Sequence, residues 1–127
     1  MIITGKPLKN EAIQYAGYRS SDNGGNHDTL VAMIDELYDQ FAYGVHKHPL
    51  SIRGFSDYLL DNLTTPPAHL FLVGKSIVYT TSRNTPSHYN QNIVPTIGYP
   101  ATDNLFTAGL NGTTFESAIP TGRLSAR

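Results

Sequence analysis

His69-Leu70-Phe71-Leu72-Val73-Gly74 decides the fold. It is a compact apolar run that ends at glycine, and Pro66-Pro67 closes off any helix on its amino side. A run this short and this apolar reads as a strand covered on both faces, which is how strands of parallel sheets look.

Two further runs of the same kind precede it. Ile2-Ile3-Thr4 is β-branched and closed by Gly5, and Thr29-Leu30-Val31-Ala32-Met33-Ile34 is continuous. Helical spacing fills the gaps. Pro7 suits the first position of a helix carrying Leu8, Ala12, Tyr15, Ala16 and Arg19, and Gly24-Gly25 closes the loop after it. Asp35 is suited to cap a helix with Leu37 and Phe41 on one face, ended by Gly44. Pro49 opens another, with Ile52, Phe55, Leu59 and Leu63 on one stripe. From Lys75 to Pro100 the sequence predicts no helix: Asn84, Pro86, Ser87, Asn90 and Asn92 mark a long loop over about residues 75–92. Ile93-Val94-Pro95-Thr96 reads as a short edge strand and Ala118–Gly122 as a last strand-like piece.

Strands alternating with helices predict an α/β fold, a three-layer flavodoxin-like or Rossmann-like parallel sheet with helices on both faces. The strand order expected is 2-1-3-4, in one domain over residues 1–127. The predicted core is Ile3, Leu30, Val31, Met33, Leu37, Phe41, Ile52, Phe55, Leu59, Leu70, Phe71, Leu72, Val73 and Ile119.

Bulk properties exclude several functions. With 127 residues the chain buries about two-thirds of its unfolded surface, enough for a core without staples. A net charge of −1, with its bases scattered, gives no footprint for nucleic acid or an anionic membrane. No apolar run approaches the roughly 20 residues of a membrane span. Ile2-Ile3 follows Met1 without the charged region and long apolar stretch of a signal peptide. The absence of cysteine excludes a disulfide framework, a thiolate metal site and a cysteine nucleophile within these residues.

Several segments, in order along the chain, resemble one family. They are Tyr15-Ala16-Gly17-Tyr18-Arg19, Ile34 to Gly44, Ile52-Arg53-Gly54-Phe55 with Tyr58-Leu59, and Pro66-Pro67 with Leu70–Gly74. Asn92-Ile93-Val94-Pro95-Thr96, Thr102-Asp103-Asn104 and Ile119-Pro120-Thr121-Gly122-Arg123-Leu124 continue the match. The chain resembles the gingipain family of cysteine peptidases, which also includes the sortase of type IX secretion. The resemblance implies the N-terminal subdomain of a catalytic module whose His and Cys lie in a second subdomain, beyond the Gly-Arg-Leu segment. No residue here matches either, so no catalytic residue is assigned. It implies the catalytic subdomain as partner, a polypeptide as the parent's substrate, and an extracellular or cell-surface location. One departure stands out: Lys75 replaces the Asp that family members carry after the strand-ending Val-Gly. Two other readings stay open, a non-hydrolytic secretion or docking module of the same family and a flavodoxin-like small-ligand domain.

Other constellations read more simply as structure. Gly74-Lys75-Ser76 lacks the upstream glycine of a phosphate loop, since that position is His69. Thr4-Gly5 is followed by Lys6-Pro7 rather than further hydroxyls and N–H donors. His46 and His48 have no third ligand in sight, and His48 is suited to cap the helix at Pro49. His27-Asp28 reads as surface loop. Ser87-His88 sits on no nucleophile elbow. No cofactor is expected. Asp103, Asn104 and Glu116 form the one oxygen-rich set that would suit calcium, set against a plain turn at Asp103. Asn62-Leu63-Thr64 and Asn111-Gly112-Thr113 are formal glycosylation sequons.

Overall fold

The computed structural model describes all 127 residues. Strand β1 is Ile2–Thr4, followed by a 3₁₀ turn Lys6–Leu8 and helix α1, Lys9–Ser20. Strand β2 (Val31–Met33) runs straight into α2 (Ile34–Phe41), and α3 is Leu50–Asn62. Strand β3 (Leu70–Val73) leads to two short helices, α4 (Tyr79–Asn84) and α5 (Pro86–Gln91). A 3₁₀ turn at Asp103–Phe106 precedes β4, Thr121–Leu124. The sheet has the order β2-β1-β3-β4, and every pairing is parallel. The expected α/β architecture holds, and the order 2-1-3-4 is met with Thr121–Leu124 as fourth strand, which begins three residues after the start of the piece expected at Ala118–Gly122.

Which helix covers which face follows from handedness. Parallel strands are joined by right-handed crossovers. The step from β1 to β2 runs one way along the sheet, and the step from β2 back past β1 to β3 runs the other. The helices of these two connections therefore lie on opposite faces. The step from β3 to β4 continues the second direction and shares its face. Side chains confirm the division. Strand register groups Ile2, Phe71 and Gly122 on one face, and Ile3, Ala32, Leu72 and Arg123 on the other. Tyr15 of α1 stacks on Phe71, with ring centres 5.3 Å apart. On the far side, Arg53 of α3 donates to the carbonyls of Leu105 and Ala108 at 2.8 Å each, tying α3 to the 3₁₀ turn before β4.

The core is continuous through the sheet. Ile3, Leu72, Ile52, Tyr38, Val94, Phe106 and Ile119 are inaccessible to solvent. Helix α2 packs on α3 through Phe41, whose ring lies 5.5 Å from that of Phe55 and 5.9 Å from that of Tyr58.

Several sequence expectations need correction. Leu30 lies outside the core, 43% exposed, because β2 begins one residue later and forms a sheet edge. Val31 and Met33 are half-buried because β2 is an edge strand, and Phe41, Phe55 and Phe71 are half-buried where they pack against the core cluster from outside it. The segment read as loop at 75–92 carries α4 and α5. The edge strand expected at Ile93–Thr96 does not pair. These residues are buried, but as irregular chain laid across the end of the sheet. Asp35 is the second residue of α2 rather than its cap, and with Glu36 it places negative charge at the positive end of the helix.

Burial sets a clear contrast for mutagenesis. Leu72→Ala should lower unfolding free energy by about 2–5 kcal/mol, the cost of a core cavity. Leu30→Ala should cost less than about 1 kcal/mol, as surface truncations do. Urea unfolding of both variants checks this, and equal losses would contradict a β2 strand that begins at Val31.

Candidate functional site

In open parallel sheets, ligands collect at the carboxyl ends of the strands, at the point where the connections change direction. Here that point lies between β1 and β3. Both strands end in glycine, and the reason is a close approach. A Cβ on Gly5 would stand 2.7 Å from Ile93 Cγ2, and one on Gly74 would stand 2.9 Å from the same atom and 3.0 Å from Val94 Cγ2. Gly74 also has φ +148°, which only glycine adopts freely. The Ile93 side chain therefore plugs the crevice. Its backbone is anchored too: the N–H groups of Ile93 and Val94 both donate to the Lys75 carbonyl, at 2.9 and 3.2 Å.

Asn92 organises the chain just before the plug. Its side chain is buried, accepts from the Ile77 N–H at 3.3 Å and donates to Ser82 Oγ at 3.2 Å. These bonds hold the approach to α4 against the end of α5.

Arg123 fixes the chain after it. Its guanidinium grips Asp103 through two bonds, Nε to Oδ2 at 2.7 Å and Nη2 to Oδ1 at 2.8 Å. It also donates to the carbonyls of Gly74, Val94 and Pro95 at 2.8–2.9 Å. Thr96 adds a bond to Asp103 Oδ1 at 3.0 Å. All five guanidinium hydrogens thus have partners, and both carboxylate oxygens accept.

Beside the plug lies a polar cavity of about 260 Å³ lined by Gly5, Lys6, Asp35, Lys47, Asn90 and Ile93, among others. Lys47 adopts φ +62°, a left-handed conformation that costs a side-chain-bearing residue about 1 kcal/mol or more. Its ammonium donates to the Asn92 carbonyl and lies 5.7 Å from the centre of the Tyr89 ring. Burial lowers its pKa, and the Asp35 carboxylate partly opposes the shift. Behind it, Tyr38 is fully buried. The Lys47 backbone N–H faces the Tyr38 hydroxyl without reaching hydrogen-bond geometry, so the hydroxyl lacks a partner. Burial, with help from Asp35, pushes its pKa far above that of an ordinary phenol.

A second concavity, about 720 Å³, opens at the other end of the sheet, on the face that α1 covers. Tyr15, Arg19, Leu63, Pro66, Phe71 and Gly122 contribute to its walls. Gly122 is exposed there, as is Leu124 farther along β4, so the β4 edge of that face lacks a helical layer.

The structure does not bring the other sequence candidates together. The Thr4 hydroxyl is buried and donates to the Val73 carbonyl, so it points into the sheet. Lys75 donates to Gln91 Oε1 at 3.0 Å. His46 packs its ring against Tyr38, while His48 stands one residue before the N-cap position, which is Pro49, and its Nδ1 accepts from the Leu50 N–H at 3.2 Å. His27 accepts from Arg19 at 2.6 Å, and Asp28 is exposed. Ser87 is exposed on α5, and His88 beside it has a buried Nδ1 without a partner. Asp103 is held by Arg123 and Thr96. Asn104 donates its backbone N–H to Thr102, and the exposed Glu116 accepts from the N–H groups of Thr114 and Phe115; its own backbone N–H, with these two, lowers its pKa. No three His, Asp or Glu side chains gather in one place. Asn62 donates to the Tyr58 carbonyl, and Asn111 occupies a left-handed turn. Sequence reading missed the Lys47 cavity and the Arg123 hub. A charged residue at an inward position of an otherwise uncharged strand was the available signal for the hub.

A model of peptidase family C25 matches residues 1–127, the whole chain. The chain belongs to peptidase family C25, the gingipain family. No curated protein and no solved structure matches it. For a C25 domain, the plugged crevice has a direct meaning: the place where flavodoxin-type folds take a small ligand is filled by this chain's own isoleucine.

Two measurements test this arrangement. Arg123→Met should cost about 2–4 kcal/mol, less than a fully buried pair because Asp103 keeps a fifth of its side chain exposed. The double variant Arg123→Met with Asp103→Leu should fall short of additivity by more than about 0.5 kcal/mol. Strict additivity would mean that the two do not act as a unit. Lys47 gives a pH signature. Its folded pKa lies below its ordinary 10.5, so the unfolded chain binds more protons across that interval. Lys47 therefore subtracts stability at neutral pH and restores it as pH climbs toward 10.5. Relative to Lys47→Met, the unaltered chain should gain stability between neutral pH and that limit, as followed by urea unfolding at several pH values.

Proposed function

We infer that this chain is the non-catalytic N-terminal subdomain of a secreted or cell-surface gingipain-like cysteine endopeptidase, and that its work is to support a second subdomain carrying the catalytic His and Cys. The observation that carries this reading is a C25 match along the whole chain in a sequence without cysteine. Thiolate attack on a peptide bond needs a cysteine with a neighbouring base. These residues offer a scaffold for that chemistry and no nucleophile for it. No helix is long and apolar enough to cross a membrane.

Two features suit the supporting role. The carboxyl end of the sheet is locked by the Arg123 network and by the Ile93 plug, so loops there hold fixed positions. The β4 edge of the α1 face lacks a helical layer and presents Gly122 and Leu124 beside the half-buried Phe71, a surface suited to packing against the catalytic subdomain. A polypeptide threading between the two subdomains would then be the substrate. The plugged crevice argues against the small-ligand reading.

The test is an activity assay in two parts. The 127-residue chain should hydrolyse no peptide substrate above background. Co-expressed with the downstream His- and Cys-bearing part of its gene product, it should co-purify with that part and restore activity. Hydrolysis by the chain alone, retained after Ser87→Ala and His88→Ala, would overturn the reading. So would a downstream coding sequence without a His and Cys pair.

A further inference from the structure

Three of the chain's four lysines converge on one tetrapeptide. Lys47 donates to the Asn92 carbonyl, Lys75 donates to the Gln91 side chain, and Lys6 lines the 260 Å³ cavity together with Asn90 and Ile93. Each lies just beyond a different element: Lys6 after β1, Lys47 in the turn after α2, Lys75 after β3. The fold, rather than the sequence, gathers them. The facing acids are fewer. Asp35 lines the cavity, and Glu36 follows it, exposed, on α2. Asp103, the other carboxylate at this end, is already saturated by Arg123 and Thr96.

The ammonium groups keep donors that no protein group uses. An ammonium carries three N–H donors. Lys47 and Lys75 each make one hydrogen bond to protein, and Lys6 makes none, standing exposed at the mouth. Lys47 is held half-buried in a left-handed backbone conformation, with the Asn92 carbonyl, the Tyr89 ring and the Asp35 carboxylate as its neighbours.

We propose that the carboxyl end of the sheet binds an acidic polypeptide segment, whose side-chain carboxylates are received by Lys6 and Lys47 at the cavity beside Ile93 and by Lys75 at Gln91, the residue after the cavity's Asn90. Carboxylates supply what the three ammonium groups lack: acceptors with charge. Paired glutamate or aspartate residues match a patch with more than one cation. Nothing in this arrangement depends on the parent being a peptidase.

The probe is the blocked peptide acetyl-Gly-Glu-Glu-Glu-Gly-amide, titrated calorimetrically into the chain at low salt, with its Gln counterpart as control. The Glu peptide should bind with a Kd below about 1 mM, weaken as salt is added, and outbind the Gln peptide by about tenfold or more. The combined variant Lys6→Gln, Lys47→Met and Lys75→Gln should lose this binding while its circular dichroism stays native. Lys6→Gln alone, at an exposed position without hydrogen bonds, should keep the fold whatever the triple variant does and weaken binding severalfold. Lys9→Gln, which removes the fourth lysine, should leave binding unchanged. Equal binding of the Gln peptide, unchanged binding by Lys6→Gln, or an equal loss with Lys9→Gln would each overturn the assignment. Equally tight binding of N-acetylglutamate would overturn the polypeptide as its ligand.

Discussion

The guanidinium of Arg123 is the interaction on which the carboxyl end of this domain depends. A charge on a strand, turned toward the interior face, is costly unless every donor finds an acceptor. Here the planar fork meets Asp103 edge-on, and its remaining hydrogens reach three carbonyls on two other segments. Lysine would supply the charge without the fork, and could not reach five acceptors from one place. The contacts join β4, the end of β3, the Val94-Pro95 backbone and the turn that carries Asp103. Four stretches distant in sequence are thereby set relative to one another by a single side chain.

One consequence follows another from there. With Val94 and Pro95 fixed from one side, and Ile93 and Val94 fixed by the Lys75 carbonyl from the other, the isoleucine has one place to go. It enters the crevice between β1 and β3, and the two strands must end in residues without side chains. The position that other sheets of this type give to a ligand becomes part of the core. The polar chemistry of this end is displaced sideways, toward α2 and the turn that carries Lys47. A plugged crevice and a lysine-lined cavity next to it are therefore two results of one packing decision.

Much of the fold was legible because parallel sheets write themselves plainly. The runs around Ile3, Val31 and Leu72 are apolar, short and bounded, and the helices between them follow a 3.6-residue stripe. What escaped reading did so for identifiable physical reasons. Helices α4 and α5 are built largely from Tyr, Thr, Ser, His and Asn, residues with weak helical preference, and each spans six residues. They are sustained by tertiary ties such as Asn92 to Ser82, invisible to local pattern. Ile93-Val94 had the composition of a strand, and the burial was real, but it was gained by crossing the sheet end instead of joining it. Leu30 sat in a continuous apolar run, and no periodicity marks where an edge strand begins. The His46-Lys47-His48 triplet drew attention to its histidines as metal ligands, whereas the structure places the chemical interest at the lysine between them. A left-handed backbone at a lysine leaves no trace in composition.

The contrast between the two sides of the Arg123 network bears on function. A rigid frame is useful in a peptidase family when the reacting groups lie elsewhere, because catalytic geometry tolerates displacements of only a fraction of an ångström. Polar groups of this end are paired within the chain, Asp103 with Arg123, Asn92 with Ser82 and Ile77, Thr4 with Val73, while the buried Tyr38 hydroxyl and His88 Nδ1 are not. Lys6, Lys47 and Lys75 are tied lightly, with one hydrogen bond to protein from each of Lys47 and Lys75 and none from Lys6. The saturated carboxylate at Asp103 and the unsaturated ammonium groups beside it lie at the same end of one sheet. The first stabilises the scaffold, and the second is the feature of that scaffold whose chemistry is left for another molecule to complete.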